Sequence, residues 1–72
     1  MLKSISGNDL VPIKSVRATP YGEFIGAYCT RTADSKTRYY RIEQLRHPDG
    51  IAGVLMALEA APEKIDEAED LS

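Results

Sequence analysis

Residues 22–46 read GEFIGAYCTRTADSKTRYYRIEQLR. Two runs rich in β-branched and aromatic residues, about Glu23–Thr30 and Thr37–Leu45, suit a half-buried pleated surface. Between them Arg31-Thr32-Ala33-Asp34-Ser35-Lys36 is polar and holds turn-forming Asp and Ser. The stretch therefore predicts a β-hairpin. A turn centred on residues 33–36 would set Thr32 opposite Thr37, Cys29 opposite Tyr40, Tyr28 opposite Arg41 and Ala27 opposite Ile42. One face would carry Ile25, Ala27, Cys29, Tyr40 and Ile42. The other would carry Phe24, Tyr28, Tyr39, Arg41 and Leu45. Neither face is plainly polar, so the sheet is expected to curl and to be covered in part on both sides. A small barrel fits that pattern better than a flat sheet with one wet face.

Upstream of the hairpin, Leu2–Ile5 suggests a short strand before the turn residues Ser6, Gly7 and Asn8. Leu10-Val11-Pro12-Ile13 is apolar, but its proline lacks an N–H, so it should be an edge strand or an extended connection. Ser15–Thr19 alternates and should be a strand with Val16 and Ala18 inward. Pro20-Tyr21-Gly22 is a turn. Downstream, Arg46-His47-Pro48-Asp49-Gly50 breaks the pattern, and Asp49 is placed to cap a helix over about Gly50–Ala61. Ile51, Val54, Leu55 and Leu58 form its apolar stripe, widened by Met56, Ala57 and Ala60. Gly53 either weakens that helix or permits a close approach. Pro62 ends it. Residues 62–72 are acidic and are expected to fray.

The chain has 72 residues and one cysteine. That is one domain, residues 1–61 plus the acidic tail, too small to bury a large core and without an internal disulfide. Stability must come from a compact core, a partner or self-association, for instance a homodimer. Cys29, mid-strand, reads as a small buried hydrophobe. No apolar run is long enough for a membrane span and no leader is evident, so no membrane association is expected and the cytoplasm is the expected compartment. Charge is uneven: residues 1–58 hold eight Lys/Arg against five Asp/Glu, and residues 59–72 hold one Lys against six acids. Such asymmetry is a hint of electrostatic function, and equally the mark of a solvated tail.

Chemistry is sparse. His47 is the single histidine, no Cys/His/carboxylate set has metal-ligand spacing, and neither a phosphate loop nor a nucleophile elbow occurs. No catalytic residue, metal or cofactor is expected. The informative set is basic and aromatic: Tyr28, Arg31, Lys36, Arg38, Tyr39, Tyr40, Arg41 and Arg46. In the expected register Arg31 and Arg38 oppose each other near the hairpin tip, where like charges are mildly destabilising unless an anion lies between them. Tyr28 and Arg41 would form a cation–π pair or a platform for a stacked base.

Arg38-Tyr39-Tyr40-Arg41-Ile42-Glu43-Gln44-Leu45 resembles the closing segment of WYL domains, where Arg, a spacer, an aromatic, a second Arg, an apolar residue, an acid, a third Arg and Ile follow in order. Gly22–Cys29 is similar to the segment that names the family, with Phe24-Ile25-Gly26 in place of Trp-Tyr-Leu. Leu10–Ile13 falls where the family has an apolar-Pro-apolar step. Gln44 departs from the third Arg, and the winged helix that usually precedes the domain has no counterpart. The resemblance spans about residues 10–46. It implies an Sm-like partial barrel and a prokaryotic regulator or defence protein that senses nucleotide or nucleic-acid ligands through basic residues, a role that would fall by position on Arg38 and Arg41 and that Gln44 would weaken.

These readings converge on an α+β fold: a small curled antiparallel sheet of about four strands with one C-terminal helix. Its expected core holds Ile13, Val16, Phe24, Ile25, Ala27, Tyr40, Ile42, Val54, Leu55 and Leu58. The expected function is a non-catalytic binding module whose ligand residues are Arg31, Arg38, Arg41, Tyr28 and Tyr39. Its ligand would be a nucleotide or single-stranded nucleic acid. The alternative is a small protein–protein adaptor or inhibitor, of phage or mobile-element type, acting on a protein partner through the helix face or the acidic tail.

Overall fold

The structure, a computed structural model, describes residues 1–65, with side chains as far as Glu63. The chain is α+β. Its elements in order are β1 (Lys3–Ser4), β2 (Leu10–Arg17), β3 (Phe24–Arg31), β4 (Lys36–Arg41), a 3-10 turn (Ile42–Gln44), β5 (Leu45–Arg46), α1 (Ile51–Ala60) and β6 (Glu63–Ile65). A four-stranded sheet runs β4-β3-β2-β6, and a two-stranded sheet pairs β1 with β5. The β2-β3-β4 meander is antiparallel, while β6 joins β2 in parallel through Ser15↔Glu63 and Arg17↔Ile65. The sheet is thus mixed, with β4 and β6 as its edges, and it does not close into a barrel.

The hairpin forms as expected, but two residues out of the expected register. Arg31 faces Lys36, Thr30 faces Thr37, Cys29 faces Arg38, Tyr28 faces Tyr39 and Ala27 faces Tyr40. The cause is local. Asp34 accepts two hydrogen bonds from Arg31, at 3.0 and 2.6 Å, and a third from the Lys36 N–H at 3.2 Å. This carboxylate draws the loop one residue toward the N-terminus, so residues 32–35 make the turn and Ser35 takes the left-handed conformation at φ 58°. A shift of two preserves the faces, because side chains alternate with period two.

Residues 10–17 form a single strand rather than two pieces, with irregularities between Pro12 and Lys14 and between Val16 and Arg17. Pro12 is tolerated because β6 pairs only with Ser15–Arg17, so the missing N–H faces an open edge. The second irregularity returns Phe24 to the core face and leaves Ile25 only half-buried.

The core lies between the sheet and α1. Leu10, Phe24, Ala27 and Cys29 meet Val54 and Leu58 of the helix, with Leu2 just before β1 and Leu45 of β5; Tyr40, Ile42 and Ala57 pack against them. Each fully buried leucine in this set contributes about 1.5–3 kcal/mol. Val16 is buried too, but in the row of Gly26 and Arg41 on the opposite face of the sheet, outside this cluster. Ile13, at 45% exposed, and Leu55, at 38%, are not part of the core. Ile13 is displaced by the irregularity beside it, and Leu55 lies on the outer flank of the helix.

Helix α1 matches the expected span to within a residue, but Asp49 does not cap it. The N-cap is Gly50, at φ 73°, and the Asp49 N–H donates instead to His47 Nδ1 at 3.0 Å. After the helix the Pro62 carbonyl accepts the Ser15 N–H at 2.8 Å. That bond starts β6, so Glu63–Ile65 are a strand and not a frayed tail; the rest of the acidic stretch lies outside the described residues. Among the described residues no helix is long and apolar enough to cross a membrane.

Candidate functional site

Strand pairing and alternation divide the expected ligand residues between two faces of the hairpin. Arg31 and Arg38 share a face with Lys36, Cys29 and Tyr40. Tyr28, Tyr39 and Arg41 share the opposite face with Thr30 and Thr37. The structure does not bring the five residues together.

On the first face, the reason for expecting an anion between Arg31 and Arg38 is gone. Arg31 is held by Asp34 in a bidentate pair, and Arg38 lies opposite Cys29. The Arg31 guanidinium holds the Asp34 carboxyl down to about 2, and the pair raises Arg31 in turn. Lys36 and Arg38 form no ion pair among the described residues, and both project from β4, an exposed edge strand. Cations at an edge discourage the addition of a further strand.

The second face is the outer surface of the meander. Lys14 of β2 pairs with Tyr28, and Tyr28 with Tyr39, so Lys14, Tyr28 and Tyr39 form one row across three strands. The two tyrosine rings are 5.2 Å apart between centroids and tilted by 54°. The expected Tyr28–Arg41 stack is replaced by this aromatic pair, as the register shift requires. In the adjacent row Val16, Gly26 and Arg41 are aligned. Gly26 has a steric reason to be glycine: a Cβ there would lie 2.6 Å from Tyr39 Oη and 2.8 Å from Cζ, and closer still to the Tyr40 carbonyl oxygen. The Tyr39 ring is laid over the bare Gly26 backbone and remains 41% exposed. Thr30 and Thr37 close the third row through a hydroxyl–hydroxyl bond of 2.9 Å.

Arg41 stands beside this aromatic row. Its Nε donates to Glu43 at 2.6 Å, which raises the arginine and lowers the carboxylate. Both side chains are well exposed, and an exposed pair of this kind is worth little, so an incoming phosphate can exchange for the carboxylate. Lys14 is exposed and forms no ion pair among the described residues. The face therefore offers two phenol rings with a cation at either side.

No family model, curated protein or solved structure matches this chain.

Elsewhere the reactive side chains are held structurally. The His47 ring packs on Gly53 of α1, and its Nδ1 accepts the Asp49 amide. Cys29 is fully buried, and burial pushes its thiol up to about 11. Among the described residues no group of three or more His, Cys, Asp or Glu could hold a metal ion. Lys14 was missed in sequence reasoning because its row with Tyr28 depends on the pairing of β2 with β3. The alternation of Lys14 with buried Ser15 was the only local signal.

Proposed function

We propose that the chain is a non-catalytic, WYL-like binding module of the cytoplasm. Its outer sheet face takes a single-stranded nucleic acid or a nucleotide, and the bound state modulates a partner protein. The row Lys14–Tyr28–Tyr39, with Arg41 in the next row, is the observation that carries this reading. A base has a planar face to lay on the exposed Tyr39, with Arg41 two residues along the same strand and Lys14 beside Tyr28 at the far end of the row to meet its flanking phosphates. Stacking of a base on an aromatic side chain is worth about 1–3 kcal/mol and tolerates any sequence. Arg31, Lys36 and Arg38 sit on the other face and add long-range attraction only.

Fluorescence polarisation with labelled single-stranded DNA and RNA at low salt tests this. Tyr39→Ala should weaken binding by roughly 5- to 150-fold, the equivalent of one stacked base. Arg41→Ala and Lys14→Ala should each weaken it and lower the salt dependence by about 0.7 per phosphate lost. Arg38→Ala should change affinity far less than Arg41→Ala. Absence of binding by the wild-type chain, or equal losses for Arg38→Ala and Arg41→Ala, would overturn the assignment to this face.

A further inference from the structure

Helix α1 is apolar on the side turned away from the core as well as on the side turned toward it. Ile51 is 63% exposed and Met56 71%, with Leu55 between them and Ala52 and Ala60 alongside. Its ten residues contain one charge, Glu59. A helix that is apolar all round belongs inside a structure. The exposed residues form two neighbouring ridges at four-residue spacing, Ile51-Leu55-Glu59 and Ala52-Met56-Ala60. Ridges of this spacing interdigitate when two helices pack. Beside the first ridge, a cleft of about 430 Å³ opens between Ile51, Leu55, Phe24 and Ile42, with Arg17, Glu23 and Glu59 also lining it.

The charges at the ends of this face say what covers it. At the N-terminal end Arg46 lines a cleft with Gly50 and Ile51, and among the described residues its guanidinium donates to the Glu43 and Leu45 carbonyls alone, at 2.7 and 2.9 Å. At the C-terminal end stands Glu59, which has no ion-pair partner among the described residues. Both charges oppose the helix macrodipole, which favours anions at the N-terminus and cations at the C-terminus. A second copy of α1 laid antiparallel reverses this. With Leu55 near the two-fold axis, the partner's Glu59 comes to the N-terminal end beside Arg46, and the partner's Arg46 comes to the C-terminal end beside Glu59. The face is complementary to itself in shape period, in polarity and in charge, as an isologous interface requires.

We infer that the chain forms a two-fold homodimer through the exposed face of α1, antiparallel about Leu55, with Arg46 and the partner's Glu59 paired at each end. A single ten-residue helix offers a small contact, so the dimer is a weak one. The inference is independent of the nucleic-acid reading, since the tyrosine face is on the other side of the sheet.

Sedimentation equilibrium of the full chain from about 10 µM to about 1 mM tests it, with circular dichroism confirming the fold of every variant. Wild type should dimerise and Met56→Glu should be monomeric. Glu59→Lys should weaken the dimer about tenfold while improving the fit of the isolated helix to its own dipole, a combination that simple loss of folding does not produce. Arg46→Glu combined with Glu59→Lys should restore dimerisation to within about threefold of wild type. A wild-type monomer at 1 mM would overturn the inference. A dimer that survives Met56→Glu would overturn the choice of face. Failure of the charge swap to restore the dimer would overturn the antiparallel pairing.

Discussion

Replacing Gly53 with alanine sets two effects against each other, and the structure decides the sign. In an exposed helix interior the change stabilises by about 0.8–1.0 kcal/mol, because alanine is the better helix former. Here, however, an added Cβ would lie 2.6 Å from His47 Cγ and 2.7 Å from Cε1, and closer still to Nδ1. These are atoms of the ring body, not the far end of a flexible chain, so the whole imidazole must move off the helix. That movement breaks the Asp49 N–H bond to Nδ1, now 3.0 Å, which is worth about 0.5–1.5 kcal/mol. It also carries an overpacking cost of about 1–3 kcal/mol. The steric side wins by about 1–2 kcal/mol. Thermal unfolding followed at 222 nm should show Gly53→Ala melting roughly 5–12 °C below wild type. In a His47→Ala background the obstacle is gone, and the same substitution should raise stability by about 1 kcal/mol. The double-mutant cycle should therefore return a coupling of about 2–3 kcal/mol. A Gly53→Ala protein more stable than wild type, with His47 intact, would refute the argument.

Gly26→Ala should be more damaging, by about 2 kcal/mol or more, since its Cβ meets the Tyr40 backbone as well as the Tyr39 ring. Chemical denaturation would measure it, and the same variant should lose nucleic-acid affinity as Tyr39 is lifted. The Asp34 carboxyl, held at about 2 by Arg31 against an ordinary value of 3.8, strengthens the hairpin turn above that ordinary value. The contribution fades as pH falls from there through about 2, so an NMR titration of the Asp34 side chain should show a depressed midpoint that Arg31→Ala returns toward 3.8. Cys29 should react with a thiol reagent at pH 8 about a hundredfold more slowly in the folded than in the unfolded chain from ionisation alone, given a thiol raised from 9.0 to about 11. Because the folded thiol stays protonated where the unfolded one ionises, stability should also fall as pH rises from 9.0 to about 11, and Cys29→Ala should remove that slope.

Much of the fold is legible because it is local. The two hairpin strands, the helix and the buried Cys29 all follow from residue type and period over eight to ten positions. What escapes is non-local. β6 is built from Glu63, Lys64 and Ile65, which carry no strand signature; its main chain satisfies the open edge of β2, and main-chain pairing is indifferent to side chains. Leu2, Leu10 and Leu45 enter the core from the position just before a two-residue strand, the first position of a long strand and another two-residue strand, too short for any period to show. Phe24 reaches the core only through an irregularity between Val16 and Arg17 that no pattern in β3 announces.

The site follows the same division, with a consequence for the chemistry. Period-two alternation alone separates Arg31 and Arg38 from Tyr28, Tyr39 and Arg41, and a two-residue slip leaves that separation intact. The slip changes who stands opposite whom. In the expected register the hairpin tip is an anion clamp of facing arginines, and Tyr28 stacks on a cation. In the observed register one arginine is satisfied by Asp34 within its own turn, and the second tyrosine takes the place opposite Tyr28. One short-range ion pair, set by a carboxylate three residues from its arginine, thus moves the candidate chemistry from the tip to the flat of the sheet. There Gly26 gives the Tyr39 ring room to lie down, and Lys14 arrives from a strand more than ten residues away in sequence. The tip keeps Lys36 and Arg38 on an exposed edge, where their charge has a structural use whether or not a ligand binds.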